Sequence, residues 1–454
     1  MPNSKAKQST SESDQKEGKK LKWWQLSLLG VAFTIGTGYF LGSGIGIQMT
    51  GPSILLSFVL AAVGTYFVFD ALSRMTAADP VQGSFRTYAK KAFGRWAGFG
   101  SGWVYWVSEM LITGSQMTAL SLFTRFWFPN IPLWIFATIF AVLGLVVIIS
   151  GTKGFERLEN VLALMKIAAI LMFILLAATV LFGWLGGKQA PQEIGQAYQS
   201  IFPHGFMGWW SSMIFAFYAF GGIEIMGIMA IRLKDPNQAP KAGKVMLFLL
   251  TFIYVLSLFL AIWLVSWTTL NGKVSPFIVA LRGNFPWVPH VFNGVLIIAG
   301  FSTMVASLFA VTTMMVTLAD EKDAPGFLTK KIKKKPYPAI GFTAAGMAAS
   351  IVLALVMPER IYEYLTTAAG LMLLYNWLFI LVSSGRILKL SKLGRVKQLS
   401  GIAIILLAVA GTVTHHTSRP GLWVSLIFLL LIGGITLVMN RIWGKNKRHQ
   451  PNKA

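Results

Sequence analysis

The chain has 454 residues, of which 55% are hydrophobic, and its mean hydropathy is +0.63. It contains no cysteine, which excludes disulfides and thiolate zinc sites. A soluble chain of this length would form about three domains, but here apolar runs of roughly 20 residues recur, the length that crosses a bilayer. The runs predict twelve transmembrane helices, at residues 24–46, 52–73, 97–127, 132–150, 158–184, 209–231, 245–268, 291–318, 337–357, 361–384, 399–415 and 420–442.

The net charge of +24 is unevenly distributed. With both termini inside, 33 of the 40 Lys and Arg residues fall in inner segments, 6 fall in outer loops and Lys166 falls within a span. The positive-inside rule predicts this asymmetry for a protein with cytoplasmic N- and C-termini. The basic excess therefore indicates topology and contact of residues 330–335 with anionic membrane lipids, and argues against nucleic-acid binding.

Glycines interrupt the first predicted span, where Gly36 and Gly38 flank Thr37. Glycine costs a helix about 1 kcal/mol relative to alanine, and a broken helix is tolerated in a bilayer where its freed backbone groups find partners or line a cavity. A break here would expose N–H groups that bind a carboxylate, and Thr37 adds a hydroxyl donor. Close packing of small residues is the alternative.

Lys166 lies eight residues into the fifth span, about 12 Å along the helix. Charged groups at such depth are costly and mark functional sites. We therefore predict that Lys166 carries a coupled proton. The alternative is a structural lysine whose ammonium reaches the cytoplasmic interface.

A second glycine pair, Gly221 and Gly222, interrupts the sixth span. A break here would free the carbonyls of Tyr218, Ala219 and Gly221 to accept hydrogen bonds from an ammonium group. The first break offers donors to a carboxylate, and the second offers carbonyl acceptors to an ammonium group. Together they suit a zwitterionic α-amino acid.

The two interrupted spans stand five spans apart. Paired glycine-broken segments in corresponding halves are typical of transporters built from inverted repeats. The predicted fold is an all-α membrane protein with a five-plus-five inverted repeat and two further helices. Its predicted parts are a disordered cytoplasmic tail at 1–22, a ten-helix transport core at 23–386, two additional transmembrane helices at 387–442 and a cytoplasmic tail at 443–454.

Several motifs along the chain occur together in one known family. The first are Ile35-Gly-Thr-Gly-Tyr-Phe-Leu-Gly-Ser-Gly44 and Thr50-Gly-Pro52. The others are Pro80-Val-Gln-Gly-Ser-Phe85, Trp96-Ala-Gly-Phe99, Trp103-x-Tyr-Trp106, Phe126-Trp-Phe-Pro129, Phe220-Gly-Gly-Ile-Glu224, Ser275-Pro-Phe277 and Ala324-Pro325. From about residue 22 to 390 the chain thus resembles bacterial amino-acid permeases of the amino acid–polyamine–organocation superfamily.

The resemblance implies a LeuT-like fold with broken helices 1 and 6, and proton-coupled uptake of amino acids. The family's carboxylate site maps onto Gly36, Thr37 and Gly38. A span-five lysine, here Lys166, takes the place of the sodium ion of sodium-coupled relatives. The amino-group site maps onto the carbonyls of Thr34, Ile35, Tyr218, Ala219 and Gly221.

The same resemblance assigns further residues near the breaks. Glu224 stands where relatives use a glutamate for gating or substrate coordination, and Tyr218 where an aromatic residue closes the site from outside. Glu109 and Gln116 are seven residues apart in span three and so share nearly one face. Relatives usually have glutamate at the positions of Ser108 and Gln116, so the offset of Glu109 argues mildly against a cationic substrate.

Charges at the inner helix ends depart from the family pattern. Asp70 and Arg74 are four residues apart and can pair on one helix face, but relatives commonly have an arginine and a glutamate there, and a glutamate at the position of Arg232. We predict an inner-gate ion-pair network of reversed polarity in which Arg232 meets Asp70 or Asp320. The alternative is that these residues are ordinary charges at helix ends, placed there by the membrane topology and without a role in gating.

The sequence therefore predicts a secondary active transporter in a bacterial plasma membrane, and not an enzyme. We expect proton symport of a neutral, hydrophobic L-amino acid by alternating access, without a cofactor or metal ion. An exchanger, or a carrier of cationic amino acids or polyamines, remains open. So does a transporter-like nutrient sensor, although the short predicted tails do not favour it. Protein partners are unknown.

Overall fold

The computed structural model describes residues 21–81, 83–184, 201–270, 272–283, 286–332, 335–356 and 361–448. Most of the predicted N-terminal tail lies outside these residues. Its last two residues are ordered, since the Leu21 N–H donates to the Arg232 carbonyl at 2.8 Å and the Leu21 carbonyl accepts from the Lys234 N–H at 2.9 Å.

The described chain is almost entirely helical, as its apolar runs predict. In chain order, the helices described before residue 185 are α1 (Trp23–Thr34), α2 (Thr37–Phe40), α3 (Gly42–Thr50), α4 (Ile54–Ala78), α5 (Phe85–Phe93), α6 (Arg95–Arg125), α7 (Leu133–Ser150) and α8 (Thr152–Leu181). The remaining helices are α9 (Gly205–Tyr218), α10 (Ile223–Met229), α11 (Ala239–Leu264), α12 (Pro276–Arg282), α13 (Val288–Asp320), α14 (Tyr337–Val356), α15 (Ile361–Ile387), α16 (Lys392–Gly411) and α17 (Arg419–Arg448). Helix α17 continues to the end of the described chain, past the predicted start of the C-terminal tail at 443.

Nine helical stretches within the described ranges are long and apolar enough to cross a membrane. One of them, Thr37–Ala78, runs through α2, α3 and α4 and so takes in parts of two predicted spans. Helix α6 has 31 residues but is rich in Ser, Gly and Trp, which lowers its mean hydropathy. The protein is thus an all-helical, multi-span membrane protein, and the number of twelve spans stays a prediction.

The interrupted helices lie in the middle of the bundle, between long unbroken ones. Helix α6 packs against α13 and α15, while α9 packs against α3 and α4. In α15, 78% of the apolar stretch is buried, against 17% in α16 and 22% in α17. The last two helices therefore lie at the rim, and the chain breaks face a buried interior.

Candidate substrate site

The backbone leaves helical geometry at the first glycine pair. Helix α1 ends at Thr34, Ile35 and Gly36 are extended, and α2 begins at Thr37. The first hydrogen bonds of the new helix run from Tyr39 and Phe40 to the Gly36 carbonyl. As at any helix start, the N–H groups of the first helical residues lack an intrahelical acceptor, and they can donate to an anion.

A second break separates α9 from α10. Helix α9 ends at Tyr218, and Gly222 has φ +104°, a left-handed conformation that favours glycine. A Cβ atom added at Gly222 would lie 3.4 Å from the Phe33 carbonyl oxygen. The second break therefore lies directly against the end of α1, and the two interruptions face each other.

A small cavity lies between the breaks. Its volume is about 30 Å³, which holds a water molecule but not an amino acid. Gly222, Ile225 and Thr303 lie in its wall. Eight predicted residues also line it: Thr34, Gly36, Thr37, Gly38, Glu109, Gln116, Tyr218 and Gly221. Three others, Ile35, Ala219 and Glu224, are not among the lining residues.

Two lining groups are polar, buried and unpaired. Thr37 Oγ1 and Gln116 Oε1 have no hydrogen-bond partner among the described residues. Leaving such groups unpaired costs about 1–3 kcal/mol each. A bound substrate that hydrogen-bonds to them would recover part of that cost.

The glycines of the first break are also tightly packed. A Cβ atom at Gly36 would lie 2.8 Å from the side chain of Thr303, and one at Gly38 would lie 2.7 Å from the ring of Tyr218. The Tyr218 hydroxyl hydrogen-bonds to Ser115 on α6. Helix interruption and close packing, which the sequence offered as alternatives, therefore occur together.

Two tyrosines that sequence reasoning missed bond to the broken segments. The Tyr254 hydroxyl lies 3.0 Å from the Ala219 carbonyl oxygen and 3.4 Å from that of Thr34. The Tyr362 hydroxyl donates to the Thr37 carbonyl at 2.9 Å. Because a carbonyl oxygen accepts two hydrogen bonds, the carbonyls at the breaks keep capacity for an ammonium group.

Glu224 supports the second break from behind the cavity. Its Oε2 accepts a hydrogen bond from the Gly222 N–H at 3.1 Å, and its Oε1 accepts one from the indole N–H of Trp377 on α15. The carboxylate is fully buried. Its two bonds connect the first turn of α10 to α15, and Trp377 was not identified from the sequence.

Lys166 is fully buried and belongs to a polar cluster. Its ammonium donates to the Ala32 carbonyl in α1 at 2.5 Å and lies 3.3 Å from Glu159 Oε1. The other carboxylate oxygen of Glu159 accepts from the Ser302 hydroxyl on α13 at 2.6 Å. The ammonium is thus buried within the protein, and it bonds to the half-helix that ends at the first break.

Asp70 pairs with cations in the C-terminal half of α4. Its Oδ2 lies 3.0 Å from Arg74 Nε and 3.5 Å from Lys397 Nζ on α16. Arg232 lies in a separate 3₁₀ turn, Ala230–Arg232. The gating role of this network stays a prediction.

A larger ion-pair cluster, which the sequence did not reveal, joins α5 to the segment after α13. The fully buried Arg86 pairs with Asp323, which is also fully buried, and with Glu321 at 2.6 Å. Lys90 pairs with Glu321 at 2.6 Å, and Arg95 pairs with Asp323 at 3.0 Å. Burial raises the pKa of Glu321, but the hydrogen bond from Lys90 and the charge of Arg86 outweigh it, so its pKa is lowered.

We expect Arg86→Ala to destabilise the protein by up to about 3–5 kcal/mol, because it removes the fully buried partner of Asp323 and leaves that carboxylate paired only with the partly exposed Arg95. Lys91→Ala is the matched control, since its pair with Asp79 is about half exposed and such pairs contribute about 0–1 kcal/mol. Thermal unfolding in detergent checks the difference. Equal melting temperatures for the two variants would contradict it.

Two interrupted helices that face each other across a buried cavity, within a helical membrane bundle, define the class of membrane transporters. The amino acid permease family matches residues 25–399, and the chain belongs to this family. It is therefore an amino acid transporter and not an enzyme.

Similar proteins are found in bacteria. The chain is 52% identical over 442 residues to "Uncharacterized transporter YcgH" of Bacillus subtilis. That alignment covers 97% of this chain and 99% of the relative. It is 30% identical over 438 residues to "Aromatic amino acid transport protein AroP" of Escherichia coli K12, in an alignment that covers 92% of this chain and 94% of the relative. AroP of Salmonella typhi has the same identity and coverage.

Proposed function

We propose that this transporter takes up a neutral, hydrophobic L-amino acid by proton symport with alternating access. The observation that carries this proposal is the opposition of the two breaks around one cavity. Donors at the start of α2 suit a carboxylate, and carbonyls at the ends of α1 and α9 suit an ammonium group. Because the cavity is smaller than an amino acid, substrate binding then requires α1 or α10 to move relative to α6 and α13.

Apolar groups support a hydrophobic side chain. Phe33, Ile112, Ile225 and Ala306 line the same cavity as the polar groups. Apolar lining with a few placed polar groups is typical of small-molecule sites. Similarity to proteins named for aromatic amino acid transport favours an aromatic substrate within this class.

The Lys166 cluster supports coupling to protons. A protonated Lys166 donates to α1 and pairs with Glu159, and Glu159 bonds to Ser302, which precedes the cavity-lining Thr303. Loss of the proton would remove the ammonium charge that attracts both acceptors. We therefore expect protonation to favour one position of the half-helix α1 relative to α13. We also propose that both termini of the protein are cytoplasmic.

Uptake into proteoliposomes tests the function. We expect an inward proton gradient to drive accumulation of one or more of the twenty amino acids, with phenylalanine, tyrosine and tryptophan competing most strongly. A protonophore should abolish accumulation. Uptake that responds only to amino acid preloaded inside would indicate an exchanger, and no transport of any amino acid would favour a sensor.

Glu109 gives a specific reason to keep a carrier of cationic amino acids or polyamines as the second candidate. Its buried carboxylate lines the cavity, where it could pair with a cationic side chain. The neutral substrate remains our first proposal.

Glu109→Gln separates these two candidates. For a neutral substrate we expect the variant to keep the same substrate preference as the parent. For a cationic substrate, loss of a hydrogen bond to a charged group, about 1.5–3 kcal/mol, should weaken competition by arginine or putrescine about tenfold or more. Competition by lysine, arginine and putrescine against labelled substrate measures this. Strong competition in the parent that disappears in the variant would overturn our first choice.

A further inference from the structure

We propose that a second cavity, separate from the substrate site, binds the headgroup of phosphatidylglycerol. The cavity has a volume of about 290 Å³ and lies between α4, the end of α15 and the start of α16. It contains none of the residues at the glycine breaks. This inference does not depend on the transported substrate.

The cavity attracts an anion. Arg74, Lys389 and Lys397 contribute three cationic side chains to its lining, and Asp70 contributes one carboxylate. Helix α16 also begins here, with the Ser391 hydroxyl accepting from the Gly394 N–H at 3.2 Å. Its N-terminal partial charge adds to the positive field. The net positive lining therefore suits a phosphate group with Arg and Lys donors.

Asp70 adds a requirement for a hydrogen-bond donor. The residue is only 7% exposed. Its Oδ2 is paired with Arg74 and Lys397, but Oδ1 is buried and has no hydrogen-bond partner in the part of the chain that the structure describes. An unpaired buried acceptor is unfavourable. A ligand that combines a phosphate with a hydroxyl group would satisfy both the cations and this oxygen.

Apolar surface beside the cavity identifies the ligand as a lipid. On α16, Leu393 is 67% exposed and Val396 is 59% exposed, and Val382 on α15 is 44% exposed. In a bilayer this surface faces acyl chains, which inorganic phosphate lacks. Phosphatidylglycerol combines acyl chains, one net negative charge and hydroxyl donors. Phosphatidylethanolamine has no net charge to offset the positive lining.

The headgroup would bridge the core and the rim of the protein. Asp70 belongs to α4 in the core, while Lys397 belongs to α16. Lys397 also lies 3.2 Å from the hydroxyl of Tyr66 and over its ring. A lipid that contacts Lys397 and Asp70 together would therefore stabilise the packing of α16 against α4.

Native mass spectrometry of the full-length protein in detergent tests the proposal, with phosphatidylglycerol, phosphatidylethanolamine, phosphatidic acid and inorganic phosphate as separate probes. We expect phosphatidylglycerol to be retained about tenfold more strongly than phosphatidylethanolamine, a difference of about 1.4 kcal/mol. The double variant Lys389→Gln/Lys397→Gln should lose this preference while Arg74 still pairs with Asp70. The matched control, Lys392→Gln/Arg395→Gln, removes the same charge from exposed residues beside the cavity and should keep it.

Three results would overturn the proposal. Equal loss in both double variants would show attraction to general surface charge. Equal retention of phosphatidylglycerol and phosphatidylethanolamine, or full displacement by inorganic phosphate, would show that the headgroup is not selected. A separate variant tests Asp70: because its Oδ1 is expected to accept a hydrogen bond from a glycerol hydroxyl, Asp70→Asn should lower the retention of phosphatidylglycerol relative to phosphatidic acid. An unchanged ratio would contradict this role of Oδ1.

Discussion

Lys166→Met should abolish accumulation driven by a proton gradient, so that uptake only equilibrates the substrate across the membrane. The substitution removes the ammonium that bonds to the Ala32 carbonyl and pairs with Glu159. We expect initial uptake at low external pH to fall about tenfold or more, to the level measured without a gradient, because the lost interactions exceed about 1.4 kcal/mol. Uptake in proteoliposomes across a range of external pH measures this effect.

The single variant also leaves Glu159 buried without its cation, which alone can destabilise a protein by about 3–5 kcal/mol. The double variant Lys166→Met/Glu159→Gln removes that unpaired charge. We expect the double variant to recover thermal stability but not proton-driven accumulation. If the double variant accumulates substrate with the pH dependence of the parent, the cluster is structural and does not carry the proton.

Glu159 has a role of its own in this arrangement. It positions the Lys166 ammonium through one carboxylate oxygen and bonds to Ser302 through the other. Glu159→Gln alone should therefore shift the pH midpoint of uptake while leaving some proton drive. A merely structural residue would change protein yield without moving that midpoint.

Gly38→Ala should reduce transport about tenfold to hundredfold, because overpacking a filled site costs about 1–3 kcal/mol. The added methyl group would lie 2.7 Å from the ring of Tyr218, which is buried and bonded to Ser115. Displacing that ring would disturb the wall of the cavity and the start of α2. The initial rate and the KM of uptake measure the effect.

Gly434→Ala is the matched control, since a Cβ atom there meets nothing within 4 Å. Alanine improves helix propensity at both positions by about 1 kcal/mol, so a difference between the variants reports the site and not the propensity. Both proteins should show the same elution volume in detergent. Unchanged transport by a folded Gly38→Ala variant would show that the first break is not part of the substrate site.

The sequence by itself determined the features that depend on local chemistry. Apolar runs of the length of a bilayer require helices, and the glycine pairs at 36–38 and 221–222 mark where two of them lose helical geometry. The motifs around these glycines also indicated the family. Each of these features lies within a short stretch of chain and can be recognised without knowing its tertiary contacts.

Only the tertiary structure decided which distant groups meet. Trp377 bonds to Glu224 across 153 residues, and Arg86 bonds to Asp323 across 237. Whether Glu109 faces the cavity also depended on the rotation of α6, which its sequence does not fix because polar and small residues occur around the whole helix.

The proposed proton site shows the same division between what the sequence and what the tertiary structure determine. The sequence singled out Lys166 because a buried charge is costly, but it did not identify Glu159 and the Ala32 carbonyl as its partners. Partners are set by helix packing, which brings α1, α8 and α13 into contact although they are far apart in the sequence. Local composition therefore fixes where a charge or a break occurs, while packing between distant helices fixes what it can bind.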